Sequence, residues 1–191
     1  MHKVLKILIL SSIFYNFAAG LFGPIYAIFV QQIGGTILTA STAWAIYTFF
    51  IGILLLVFGR IEDKLNKRKI FIIGRAINTL GIIGYLFVDS PIQLFFVQGI
   101  LGIAVALSNP TFEAIFSKSL SKGKESTEWS TWEGSINIMY AIAALIGGTI
   151  ATVFGFKILF VFMAFASALS TLAATALLKK KTWNSFVKIR I

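Results

Sequence analysis

Seven carboxylates, one histidine and no cysteine are all that this 191-residue chain offers to acid–base, metal or thiolate chemistry. The histidine, His2, sits beside the N-terminus, and no glycine-rich run leads into Lys-Ser or Lys-Thr to cradle a phosphate. With no nucleophile, metal set or phosphate loop, no enzyme, metal or cofactor is expected, and disulfides are excluded. Interest shifts to where the few charges fall. Glu113 follows Pro110 by one turn and stands about 7 Å of helical rise from Lys118, inside an apolar run where an acid is a functional candidate by default. Three roles are open to it: an ion pair with Arg75 or Arg68 in a gate, reversible binding of a proton (H+), or a carboxylate reaching into the headgroup interface. Glu133, four residues before Asn137 and on the same helical face, is a second acid of this kind.

The uncharged polar and amphipathic groups inside apolar runs are Tyr15, Asn16, Trp44, Tyr47, Asn78, Gln98, Asn109, Asn137 and Tyr140. Asn16 lies roughly 16 Å along a helix from Leu5, close to a bilayer midplane. Each of these groups either makes an interhelical hydrogen bond, worth on the order of 1 kcal/mol, or lines a cavity. Amides and phenols with few charges suit a small neutral or amphipathic molecule. Arg75 is read as a snorkelling or gate arginine, because a buried unpaired guanidinium is costly.

The elements that must carry these groups are membrane helices. The chain is 58% hydrophobic and 13% charged, with mean hydropathy +0.89. Six apolar stretches cover 5–30, 42–58, 70–88, 92–116, 129–154 and 158–178, each near the ~20 residues a helix needs to cross a bilayer. Strand patterning is absent, and only helices or closed barrels satisfy a backbone in lipid. The expected fold is an all-α membrane protein with six transmembrane helices in a single domain, 1–191, ending in a short basic tail, 179–191. Pro24 and Pro110 should kink the first and fourth helices. Trp129 and Trp132 open the fifth stretch and read as interfacial anchors.

Lys and Arg crowd the N-terminus, 59–69, 118–124 and the tail, while the alternate turns hold only Asp89 and Lys157. Both termini are therefore expected in the cytoplasm, in a prokaryotic plasma (inner) membrane. The net charge of +10 then reflects topology and contact with anionic membrane lipid; no nucleic acid is expected as partner. The apolar run continues past Ala18-Ala19-Gly20 to Val30, too long for a signal peptide, so the first helix is retained.

The order Gly59, Asp63, Lys64, Asn66, Lys67, Arg68 resembles the loop between the second and third helices of the major facilitator superfamily, with Asn66 where that family usually has a glycine that can turn left-handed. Gln98-Gly99 followed by Gly102, Ala104 and Pro110 resembles its fourth helix, with Phe95 where an arginine is frequent. Ala143 to Gly148 is similar to the end of its fifth helix, with Ala143-Ala144 where antiporters carry Gly-Pro. Phe154-Gly155-Phe156-Lys157 resembles the turn into its sixth.

The resemblance implies one half of the facilitator fold, a three-plus-three inverted repeat. It implies a secondary transporter moving a small organic solute, sugar-like or amphipathic, by alternating access. Two copies as a parallel homodimer would rebuild a twelve-helix unit. Asp63 would then face the N-terminus of the partner's fifth helix, near Trp129, as a cytoplasmic latch, with Arg75 in the same gate. The other readings are a non-transporting membrane scaffold and the N-terminal fragment of a longer transporter.

Overall fold

The computed structural model describes residues 3–62 and 65–179. Asp63, Lys64 and the tail from 180 onward lie outside the described residues. The described chain is helical, without strands: α1 (Lys3–Phe22), α2 (Tyr26–Gln32), α3 (Ile37–Glu62), α4 (Lys67–Gly84), α5 (Pro91–Ser119) and α6 (Glu125–Thr175). Five helical spans among the described residues are long and apolar enough to cross a membrane: Lys3–Gln32, Ile37–Gly59, Lys67–Phe87, Pro91–Ser119 and Glu125–Leu178.

The fifth and sixth apolar stretches thus fall on one helical run, and the reason is local. At Gly155 the backbone takes φ 81°, ψ 171°, a region open essentially to glycine alone. The run turns back there. Trp129 and Trp132, near its start, and Leu177, just past its end, pack in one apolar cluster with Val4, Leu5, Phe71 and Phe116. Phe156 packs at the opposite end with Phe22, Phe29, Tyr85 and Phe160. A Cβ at Gly155 would meet no neighbour, so Gly155→Ala isolates the backbone term. It should lower stability by about 1–3 kcal/mol, read as an earlier thermal transition in detergent; an unchanged transition would contradict the turn.

Both arms of α6 pack on α1. Ser11 Oγ donates to the Ser170 carbonyl at 3.0 Å, and Ser170 Oγ donates to the Ser11 carbonyl at 2.8 Å. Further along, Gly147 lies directly against the Leu21 backbone, with no space for a side chain. Small residues at such crossings let helices approach where lipid offers no hydrophobic drive for association. A second polar seam joins α4 to the later arm of α6: Thr79 Oγ1 stands 2.8 Å from Ser167 Oγ and 3.0 Å from Thr171 Oγ1, and Ser167 Oγ donates to Asn78 Oδ1 at 3.2 Å.

Several expectations are corrected. Gly59 is not in a loop, because α3 continues through it to Glu62. Asn66 is not left-handed; it is extended (φ −76°, ψ 94°) and caps α4, its Oδ1 accepting from the Arg68 and Lys69 backbone N–H groups. A short polar side chain satisfying the first orphan donors explains an asparagine there. Pro24 breaks the first span into α1 and α2 through a 3-10 turn, Gly23–Ile25, whereas α5 runs through Pro110. Trp129 and Trp132 are not outward anchors but half-buried members of an aromatic cluster, with ring centroids 5.1 Å from Phe116 in each case.

Candidate functional site

A cavity of about 350 Å³ opens between the helices, lined by residues from all five membrane-length spans. Each element contributes through one-turn spacing. Tyr15 and Ala19 come from α1, Trp44 and Tyr47 from α3, Asn78, Ile82 and Tyr85 from α4, Gln98 and Leu101 from α5. Tyr140 and Met163 come from the two arms of α6, and Phe22, Gly23 and Tyr26 from the break in the first span. Intervals of three, four and seven residues keep such side chains on one helical face.

All five tyrosines of the chain stand in this wall. Gln98, buried, donates from Nε2 to the Tyr26 hydroxyl at 2.8 Å. The Trp44 and Tyr47 rings are 5.3 Å apart. The Tyr140 hydroxyl fills the space that a Cβ at Gly23 would need, so glycine at the break admits the phenol. No carboxylate, lysine or arginine lines the cavity. Trp44 and Tyr140 are 60% and 38% exposed, so the cavity opens on the side formed by α3 and the first arm of α6.

Arg75 lies one turn before Asn78 on α4 and is only 3% exposed. Its guanidinium carbon sits 3.7 Å from the Tyr15 ring centroid and 5.1 Å from that of Phe71. Nε and Nη1 are buried without a hydrogen-bond partner.

Of the nine residues singled out for a cavity, Tyr15, Trp44, Tyr47, Asn78, Gln98 and Tyr140 meet in this wall and Asn16, Asn109 and Asn137 do not. Asn16 Nδ2 donates to the Ser12 carbonyl at 2.9 Å. Asn137 is exposed and donates to the Glu133 carbonyl at 2.8 Å, and Asn109 is exposed on α5. In all-apolar surroundings an asparagine is as well served by its own helix backbone as by a cavity. Tyr26 and Tyr85 belong to the wall and were missed, since a tyrosine near a span end reads as an interfacial anchor. Their spacing held the signal: Tyr85 follows Asn78 by seven residues and Tyr26 follows Tyr15 by eleven, both whole numbers of turns to within a few tens of degrees.

Glu113 is exposed on α5 and pairs with neither arginine among the described residues. Arg68 instead donates from Nη1 to the Leu177 carbonyl at 3.2 Å. Glu133 is exposed at the start of α6. Sequence reasoning passed over Glu128, which is buried and accepts from the Ser121 backbone N–H at 2.7 Å and its hydroxyl at 2.9 Å, closing the turn into α6. Among the described residues no three His, Cys, Asp or Glu side chains gather as a metal set.

The sequence profile of the Major Facilitator Superfamily matches residues 8–187. The chain is 22% identical over 182 residues to Multidrug resistance protein MdtG of Klebsiella pneumoniae (strain 342), covering 93% of this chain and 44% of that protein. It is 22% identical over 165 residues to the Uncharacterized MFS-type transporter MJ1560 of Methanocaldococcus jannaschii, covering 86% and 43%. With the Uncharacterized MFS-type transporter YitZ of Bacillus subtilis (strain 168) it shares 22% over 147 residues, 75% of this chain and 88% of that one. The chain therefore spans less than half the length of the first two relatives.

Proposed function

The chain belongs to the major facilitator superfamily and is an integral membrane protein, and on that premise we propose that it moves a small organic solute across the bilayer by alternating access. The observation that carries the reading is the cavity itself, drawn from every membrane-length span and walled by phenols, an indole and two amides. Concave sites of this kind, mostly apolar with a few converging polar groups, take small molecules. Five tyrosines and a tryptophan favour a solute with an apolar body and hydrogen-bonding substituents over a bare sugar.

The reversal at Gly155 supports six crossings, with the two arms of α6 as the fifth and sixth. The α1, α4 and α6 starts and the α5 end share one apolar cluster, so Lys3, Lys6, Lys67, Lys69, Lys118 and Lys124 flank one end of the bundle. By charge, that end is cytoplasmic.

A parallel homodimer completes the proposal. The cavity is open on its α3–α6 side, where Trp44 and Tyr140 stay exposed, and a second copy placed there would enclose it. Asn109 follows Gln98 by eleven residues, three turns, and Glu113 follows Asn109 by one turn more. Both thus lie on the α5 stripe leading from the cavity towards the basic end. On this proposal Glu113 and Glu133 serve the cytoplasmic gate or proton coupling, with Asp63 as its latch.

Proteoliposomes carrying the protein should show saturable flux of amphipathic aromatic solutes. Native mass spectrometry should give two chains per particle. A scaffold would show no flux under any gradient, and a transport-competent monomer would remove the dimer.

A further inference from the structure

The cavity wall carries no charge, yet a cation stands immediately behind it. Tyr15 belongs to that wall, and the guanidinium of Arg75 lies 3.7 Å from its ring centroid. The ring therefore screens the charge from the open space. Nothing else answers that charge: Arg75 makes no ion pair among the described residues, and two of its nitrogens are buried without partners. Buried charges are ordinarily paired and hydrogen-bonded, and an unanswered one inside a membrane span marks a site that something else completes.

We infer that the solute is an organic monoanion, an aromatic or apolar carboxylate, whose charged group is taken by Arg75 when Tyr15 swings aside. Its apolar body lies among the tyrosine rings. The inference rests on the cavity being the solute site proposed above, and adds the sign of the charge. One guanidinium and no second cation in or behind the wall match a single negative charge. Arginine donates to a planar carboxylate through several N–H groups at once, which an ammonium does not. The same wall without Arg75 would suit a cation over its ring faces. A guanidinium next to the cavity opposes any such ligand.

The test uses the full chain in nanodiscs and three probes of one shape: 2-naphthoate, 2-naphthamide and 2-naphthylmethylammonium, titrated by calorimetry. The wild type should bind the carboxylate at least about tenfold more tightly than the amide, and the ammonium no more tightly than the amide. Arg75→Gln should bring the carboxylate-to-amide ratio to about one, leaving amide binding unchanged. Arg75→Lys should weaken the carboxylate several-fold and spare the amide; where Arg75→Gln does not fold, this variant and the wild-type ratio decide. Equal binding of acid and amide by the wild type, preference for the ammonium, or a preference that survives Arg75→Gln or stays whole in Arg75→Lys overturns the inference and leaves the solute cavity standing. Binding of none of the three removes the cavity reading and this inference together.

Discussion

Gly147→Leu should abolish recovery of a folded, monodisperse protein, whereas Gly148→Leu should leave the fold intact. At Gly147 even a Cβ would run into the Leu21 backbone, while at Gly148 it would meet nothing within 4 Å. Overpacking costs about 1–3 kcal/mol where side chains can give way; here the obstacle is main chain and both helices would have to part. The separation would also loosen the paired Ser11 and Ser170 hydrogen bonds along the same crossing. Size-exclusion chromatography of fluorescently tagged protein after detergent extraction reads the outcome. Equal behaviour of the two adjacent variants would contradict the α1–α6 packing.

Ala19→Trp should remove solute flux while sparing the fold. Ala19 lines the open volume of about 350 Å³, so an indole there enters free space and competes with the solute for it. Losing about 1.4 kcal/mol of binding already weakens affinity tenfold, and a blocked cavity should lose more than that. Extraction yield and thermal transition should match the wild type, separating occlusion from misfolding. Undiminished saturable flux in this variant would move the solute path elsewhere.

Much of this arrangement is legible in the sequence, and the limits have a physical pattern. Hydropathy and length place the helices well, and the gap between 154 and 158 falls on the reversal at Gly155. Hydropathy cannot say which way a side chain faces when a helix is apolar all round, since both protein and lipid accept apolar groups. That is why Asn16, Asn109 and Asn137 read like Asn78, though only Asn78 reaches the cavity. It is also why Tyr26 and Tyr85 read as interfacial residues. Asn66 was misread for another reason: asparagine serves both left-handed turns and helix caps, and only the backbone angles distinguish them. Glu113 was assigned a partner from proximity along the chain, but α5 directs it away from Arg75 and into the open.

Alternating access is the central claim, and the absence of cysteine allows it to be tested at a single introduced thiol. Ala19→Cys places that thiol in the cavity wall at little steric cost. In oriented proteoliposomes, a membrane-impermeant maleimide should label it from either side of the bilayer, and saturating solute should shift the ratio of the two labelling rates. Labelling confined to one side in every condition, or no labelling from either side, would contradict the account.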